Sequence, residues 1–562
     1  MADQFDLVVA IDFGTYGTGF AYTLAAEAAK SPQERDIFVF RDWEHSDRFR
    51  YFKTRTALLR AKSGEVIGWG NDAVYRAEVN QDEGTLTEYF KPDLTSANAN
   101  ARKSAVADSV DFLSRLRETI LAHLARRHIR IPESRIRWCL SMPVQDGGLE
   151  GYDSVLRTEV ASAAGFPADR ERLITAFEPE AAALYLHAES DEDDFLRSGK
   201  VFTMVDAGGG TVDISTFQVR NDSSLNQVGL VARGRLGSRN LNNNFLGLVL
   251  DQLRQLRGWQ RDASPEPSDW QVIRSGWESY KRQWNSLTAS LYRIRVPRRA
   301  DRQGEPTGPQ PGDDGELSFS VADIAGVVFG PLVSEIISRV DAALSEVSEG
   351  LKPQQVLLVG GFGGSPYLQQ ELRGHLGDRA PLISVPDPDS AEAVLRGTVH
   401  YGLNPRSVHE RRIQYTYGLE IAGPCERPQL PHPAQHRIVQ PAQFSEPVEL
   451  CDHLKVFARR GEVIRGRTER SLGRLRPSDY RQEEVVFKLF TSQDADPYFI
   501  TQASPLGSLK VPLRVSAWRA SGSPAFDVSV VLGEADLVFY AFDAKKPKKK
   551  YELPLHFLED EE

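Results

Sequence analysis

Leu7-Val8-Val9-Ala10-Ile11-Asp12-Phe13-Gly14-Thr15 and Val201-Phe202-Thr203-Met204-Val205-Asp206-Ala207-Gly208-Gly209-Gly210-Thr211 open two near-identical segments of this 562-residue chain. Each is an apolar run of buried-strand type that ends on Asp, then Gly, then Thr. Each continues into a β-prone run, Gly19–Leu24 and Val212–Val219. The pattern predicts strand, glycine-built turn and strand, made twice.

Outward from these hairpins the pattern turns helical. Residues 108–128 carry Leu113, Leu116, Ile120 and Leu124 on one stripe, and a strand is expected at Ile136–Ser141. A helix is expected over 331–348, opened by Pro331, with Leu332, Ile336, Val340, Leu344 and Val347 on one face and Gly350 closing it. A third strand, Val356–Val359, leads into Gly360-Gly361-Phe362-Gly363-Gly364, and Ser365-Pro366 caps a helix bearing Leu368, Leu372 and Leu376. Alternating strands and helices predict an α/β fold for residues 1–404. Beyond about residue 410 short β-rich runs take over, at Val485–Phe490, Leu509–Val515, Phe526–Leu532, Leu537–Phe542 and Tyr551–Phe557, which predicts an all-β unit. Ser190–Asp194 and Arg298–Glu316 read as insertions.

Composition narrows the function. Hydrophobic residues make up 41% and charged residues 26%, ordinary for a globular protein. Lys plus Arg number 68 against 78 Asp plus Glu, a net charge of −10 that argues against a nucleic-acid partner. Three cysteines, Cys139, Cys425 and Cys451, make neither a disulfide framework nor a zinc site. The N-terminal residues lack the features of a signal peptide, and no run approaches about 18 consecutive apolar residues, so no membrane association and a cytoplasmic location are expected. Lys545-Lys546-Pro547-Lys548-Lys549-Lys550 reads as a solvated hairpin turn in preference to a nuclear address.

A loop that wraps phosphates needs glycines, so that backbone N–H groups can approach the oxygens, and hydroxyl or ammonium groups to finish the cradle. It also needs carboxylates to hold a hydrated Mg²⁺ or orient a water. One Asp-Gly-Thr hairpin is usually only a turn. Two of them, followed by a third strand with Gly360-Gly361, could grip a polyphosphate from both sides.

This ordered set resembles the ATPase core shared by actin, Hsp70 and sugar kinases, with Ile11–Gly19, Val205–Asp213 and Val356–Pro366 matching its two phosphate motifs and its adenosine motif. Glu178-Pro179-Glu180-Ala181-Ala182-Ala183 and Leu140-Ser141-Met142-Pro143 are similar to Hsp70 segments. Trp277-Glu278-Ser279-Tyr280-Lys281-Arg282-Gln283-Trp284-Asn285 resembles the Hsp70 helix that holds adenosine. Its apolar stripe, Trp270, Ile273, Trp277, Trp284 and Leu287, leaves Glu278, Lys281, Arg282 and Asn285 on another face. Phe52-Lys53-Thr54, Tyr89-Phe90-Lys91, Tyr415-Thr416-Tyr417-Gly418 and the turn Gly533-Glu534-Ala535-Asp536 suit the divergent heat shock 70 kDa protein 12 branch.

The resemblance implies a duplicated two-lobed, actin-like (ribonuclease H-like) ATPase fold followed by a small all-β C-terminal domain. Residues 1–195 would form lobe I and 196–404 lobe II, with the chain returning to lobe I near 390–404, and 405–562 a shortened substrate-binding-like domain. It implies ATP or ADP with Mg²⁺ as ligands and slow hydrolysis to ADP and phosphate. Asp12 and Asp206 would hold the metal through water, Glu178 would help order those waters, and Lys91 would reach the γ-phosphate or the attacking water. Thr15 and Thr211 would bond phosphate oxygens beside Gly14, Tyr16, Gly208, Gly209 and Gly210. Glu278, Lys281, Arg282, Gly360, Gly361, Phe362 and Gly363 would hold the nucleoside.

The chain also departs from the Hsp70 pattern. Tyr16 replaces a small residue and is expected to crowd the phosphates. Gly364 stands where classical members place an Arg against adenine, and Asn242 where an acid is commoner. The basic segment 404–412 replaces an acidic, leucine-rich linker, and no helical lid is expected after the β unit. An unfolded client or a signalling partner is the expected protein ligand. A non-hydrolysing nucleotide-gated scaffold is the alternative, with an actin-like filament protein and a small-molecule kinase less favoured.

Overall fold

The computed structural model describes residues 5–553 except 46–50, 81–82, 97, 144–151, 154, 190–196, 223, 258–266, 288–290, 296–315, 348, 385–388, 425–436, 440–447, 477–483, 513–524, 533–536 and 545. The insertion at 190–194, nearly all of the one at 298–316, and the turn at 533–536 lie outside the described residues.

Both hairpins form, and each founds its own sheet with the same neighbour pattern. Leu7–Phe13 pairs antiparallel with Gly17–Leu24 on one side and parallel with Ile136–Met142 on the other, followed by Leu173–Phe177. Val201–Ala207 likewise pairs antiparallel with Val212–Val219 and parallel with Gln355–Val359, followed by Leu382–Ser384. Both first strands are fully buried, which is why they read as unbroken apolar runs.

Two helices lie between the sheets. Glu178–Glu189 and Asp389–Leu403 pack along each other and share one core with Cys139 and Ala176 of the first sheet and Phe202, Met204 and Phe217 of the second. Gly402 sets the second helix against Val8 of the first sheet.

His400, on this helix, is 3% exposed, and its Nδ1 lies 2.9 Å from Arg35 Nη1. Burial, with Arg35, Arg396 and His187 adding to it, pushes its pKa down to about 3. An unfolded His titrates near 6.5, so the folded form holds the neutral ring, and its contribution is complete above that pH and lost as pH falls toward 3. Melting temperature followed between pH 7 and 4 is expected to fall less steeply in His400→Gln than in the wild type.

The helix expected over 331–348 begins earlier and ends earlier. Val321–Asp323, the π-helical turn Ile324–Phe329 and Gly330–Ser345 run on continuously, capped by a Ser320–Asp323 capping box. Gly350 lies instead in a separate 3₁₀ turn, Glu349–Leu351. Val321–Ser345 is long and apolar enough to cross a membrane by composition. Its Leu332, Val333, Ile336 and Val340 are buried in the core of the second sheet.

Val408–Arg412 joins the second sheet as a strand, parallel to Leu225–Gln227 and antiparallel to Val463–Arg465. Apart from the 3₁₀ turn Ile500–Gln502, the elements described from Val408 onward are strands. They make a five-stranded sheet, centred on Thr416–Pro424 between Val448–Ala458 and Glu484–Ser492, and a four-stranded sheet in chain order from Thr468–Leu475 to Lys546–Leu553. Tyr417, Leu489, Val530 and Phe539 belong to one core drawn from both. The basic run, expected as a turn, has its residues 546–550 in an edge strand, with Phe542 opposite Lys550.

Candidate functional site

The two glycine turns face each other across a cavity of about 830 Å³. A β-carbon on Gly210 would stand 3.2 Å from Thr15 Oγ1, and one on Gly209 3.3 Å from Tyr16 Cβ. The second turn is fixed from behind, because the amides of Gly237, Ser238 and Arg239 donate to the carbonyls of Gly210, Gly208 and Gly209 at 3.2, 3.1 and 2.9 Å. Gly14, Thr15, Tyr16, Gly208, Gly209, Gly210 and Thr211 all line the cavity. The Thr211 hydroxyl donates to Asp213 Oδ2 at 3.0 Å.

Three carboxylates converge here. Asp12 is 3% exposed, accepts from the Ser141 hydroxyl at 3.0 Å and lies 2.6 Å from Lys53 Nζ through its other oxygen. Glu178 opens its helix 3.2 Å from Lys91 Nζ. Asp206 is buried, and its pKa is raised well above the ordinary carboxylate value, first by burial and then by Glu178, Asp213 and Asp12, with Lys53 opposing. Gly360 sits at φ 86, where a β-carbon would collide with Asp206 Oδ1 and the Ala207 carbonyl.

Lys91, whose aromatic neighbours in sequence favour a surface position, is 4% exposed, with Nζ 5.5 Å from the Phe13 ring centroid and 5.6 Å from that of Tyr152. Burial opposes its charge, but Glu178, Tyr152 and Asp12 outweigh it, so the pKa rises. Tyr16 lies beside the glycine turns with its ring stacked under Arg55, whose guanidinium carbon is 4.0 Å from the centroid and whose Nη1 donates to the phenol at 2.8 Å. Tyr89 packs next to Tyr16 at a φ of 61°, a conformation rare for an aromatic residue, and Arg239 covers its ring at 4.5 Å.

On the helix Pro267–Gln283, Glu278, Lys281 and Arg282 line the cavity. Leu287, expected on that helix's apolar stripe, lies past its end and is 78% exposed. Asn242 binds the group together: it donates to Glu278 Oε1 at 2.7 Å, and its carbonyl accepts from Lys281 Nζ at 2.7 Å and Trp277 Nε1 at 3.0 Å. An ionised acid at this position could not donate to Glu278. Burial lowers the Lys281 pKa, against the opposing pull of Glu278.

Gly360, Gly361, Phe362 and Gly364 reach the cavity, but Gly363 is not among the described lining residues. A β-carbon there would strike the Val359 carbonyl, and its amide, like that of Phe362, donates to Ala207 O. Gly363 thus shapes the turn from behind.

Sequence reasoning missed three contributors. Lys53 and Ser141 hold Asp12 from a neighbouring loop and strand. Thr491, Ser504, Pro505 and Leu506 bring the C-terminal sheet to the cavity wall. Lys53 and Ser141 each stood in a segment that resembles the family, Phe52–Thr54 and Leu140–Pro143, without a role attached, and the glycines at 17 and 19 inside a strand were a further signal for Lys53. For the C-terminal residues the sequence carried none.

The donor set fits a hydrated divalent cation with a polyphosphate: hard carboxylate oxygens in a buried cluster whose mutual repulsion a cation relieves, beside opposed glycine turns and ammonium groups. Among the described residues no group of three or more His, Cys, Asp or Glu is placed to hold a metal ion by itself, so waters and phosphates would have to supply most of its ligands.

No protein-family model matches the sequence. The chain is 25% identical to heat shock 70 kDa protein 12A of Homo sapiens over 509 residues, covering 74% of this chain and 72% of that protein. It is 26% identical to the Mus musculus 12A protein over 508 residues, with the same coverage of 74% and 72%. Identity to heat shock 70 kDa protein 12B of Homo sapiens is 25% over 506 residues, 74% of this chain and 71% of that one. The mixed α/β layout with several sheets fits the actin-like ATPase fold of such relatives.

Proposed function

From the premise that the chain is a homologue of the heat shock 70 kDa proteins 12A and 12B, an Hsp70-like branch, we propose that it binds Mg-ATP between two actin-like lobes and hydrolyses it slowly. Closure of the lobes is coupled to a client or partner protein through the C-terminal β domain. The observation that carries this reading is the apposition of the Thr15 and Gly210 turns over Asp12, Glu178 and Asp206.

Bound magnesium supplies neutralisation of phosphate charge and an ordered water shell. The amides of Gly14, Gly209 and Gly210, with the Thr15 hydroxyl, are placed to bond phosphate oxygens. Thr211 joins them by turning away from Asp213. Lys91 keeps a full positive charge beside Glu178, and that carboxylate orients a water. Glu278, Lys281 and Arg282, fixed by Asn242, offer the ribose and base a mixed donor and acceptor surface. Positioning and charge neutralisation of this kind require no covalent nucleophile.

One observation favours the alternative, a scaffold that binds nucleotide without hydrolysing it: Asp12 is already engaged by Lys53 and Ser141. Saturating Mg-ATP is expected to raise the melting temperature, since a ligand that binds only the folded form stabilises it. An unchanged melting temperature would remove the proposal. Phosphate release in a single turnover, lost in Asp206→Ala, separates the ATPase from the scaffold.

A further inference from the structure

Lys53 reaches Asp12 along a track that the first hairpin makes for it. Gly17 and Gly19 lie in the second strand of that hairpin, where glycine weakens a strand unless something approaches closely. What approaches is the segment Phe52–Thr54, first the Thr54 and Phe52 carbonyl oxygens, 3.0 Å from a β-carbon on Gly17 and 2.7 Å from one on Gly19, and next the Lys53 stem. A β-carbon on Gly17 would stand 3.3 Å from Lys53 Cβ, and one on Gly19 3.2 Å from Lys53 Cγ. Pairing of Thr54 with Thr18 and Arg55 with Gly17 holds the stem's backbone against the same strand. The side chain is 20% exposed and ends 2.6 Å from Asp12 Oδ2, while Asp12 Oδ1 is held by Ser141. Two of the three converging carboxylates therefore carry their own ammonium, Asp12 with Lys53 and Glu178 with Lys91.

We infer that Lys53 is a resident cation of the nucleotide site, so that phosphates are held with little dependence on a divalent metal. The inference rests on the nucleotide-binding reading above and adds a positioning and specificity residue to it. The ammonium occupies the Asp12 oxygen that a metal-bound water would otherwise use. It also offers remaining N–H donors to an arriving phosphate, so Asp12 meets the ligand with its charge already paired. An ammonium is a compact donor on a flexible stem, and its three N–H groups let it keep Asp12 while bonding a phosphate oxygen.

The test is calorimetric titration of the full chain with ADP and with ATP, in excess EDTA and in excess Mg²⁺. Wild-type affinities in the two conditions are expected to agree within about tenfold. In Lys53→Met, affinity in EDTA is expected to fall by about 100-fold or more while affinity in Mg²⁺ falls by less than about tenfold, because the metal then takes over the lost charge. Lys53→Arg keeps a cation beside Asp12 and serves as the second variant should Lys53→Met fail to fold; binding retained in EDTA supports the inference and binding lost there overturns it. Wild-type binding that collapses in EDTA overturns the inference and leaves the nucleotide reading intact. An equal loss in both conditions for Lys53→Met also overturns it, since Lys53 would then be an ordinary phosphate contact. No wild-type binding in either condition overturns the nucleotide reading and this inference with it.

Discussion

Gly397→Ala is expected to destabilise the protein by about 3 kcal/mol or more, at or above the upper end of ordinary overpacking penalties. Gly397 lies in the helix Asp389–Leu403, where a β-carbon would fall inside the carbonyl oxygen of Ala181 on the helix Glu178–Glu189. The obstacle is backbone, so no rotamer change relieves it and one helix must move. The Ala181-Ala182-Ala183 run on the facing helix, all three residues buried, is the complementary adaptation, since small side chains let two helix backbones approach. Gly374→Ala is the control. Gly374 is an exposed glycine in the helix Pro366–Leu376 with nothing within 4 Å of an added β-carbon. Alanine there is expected to stabilise by about 1 kcal/mol through helix propensity. Denaturation midpoints that move in the same direction for both variants would refute the close contact.

What was legible in the sequence was local. A buried strand, a glycine turn and a second strand are consecutive, so the two hairpins could be read directly, and so could the capped helix after Ser365. What depended on partners distant in the chain was not. Glu178–Ala183 served the sequence only as a family resemblance, although its Ala181 faces Gly397 and its Glu180 faces Arg411. Asn242 looked like a lost acid, yet its amide is the one group there that both donates to Glu278 and accepts from Lys281. The reading of Gly350 as a helix stop failed because the chain had already left the helix at Ser345. A glycine beyond a periodic apolar run is a weak signal without the φ that makes it a cap. The basic run differs for another reason, because charge alone does not distinguish a turn from an edge strand.

Arg411→Ala is expected to cost about 3–5 kcal/mol, the penalty for removing one partner of a buried ion pair. Arg411 Nε and Nη2 donate to Glu180 Oε1 and Oε2 at 2.7 and 2.8 Å, a bidentate pair whose side chains are 7% and 5% exposed. Truncating the arginine leaves a carboxylate among apolar neighbours with no route to water, so the loss comes from stranded charge more than from the missing attraction. That reasoning makes a second measurement decisive: Glu180→Gln with Arg411→Met removes both charges and is expected to recover most of the midpoint. Failure of the double variant to recover would mean that packing, not charge, sets the cost. Position in the fold adds a further consequence. Glu180 lies two residues after Glu178, which faces Lys91 in the cavity, and Arg411 lies on the strand through which the chain passes to the C-terminal sheets. Loss of the pair is therefore expected to expose residues 405–412 to limited proteolysis before the rest of the chain unfolds. Digestion that begins elsewhere would show that the sheet pairing of Val408–Arg412 holds that segment without Glu180.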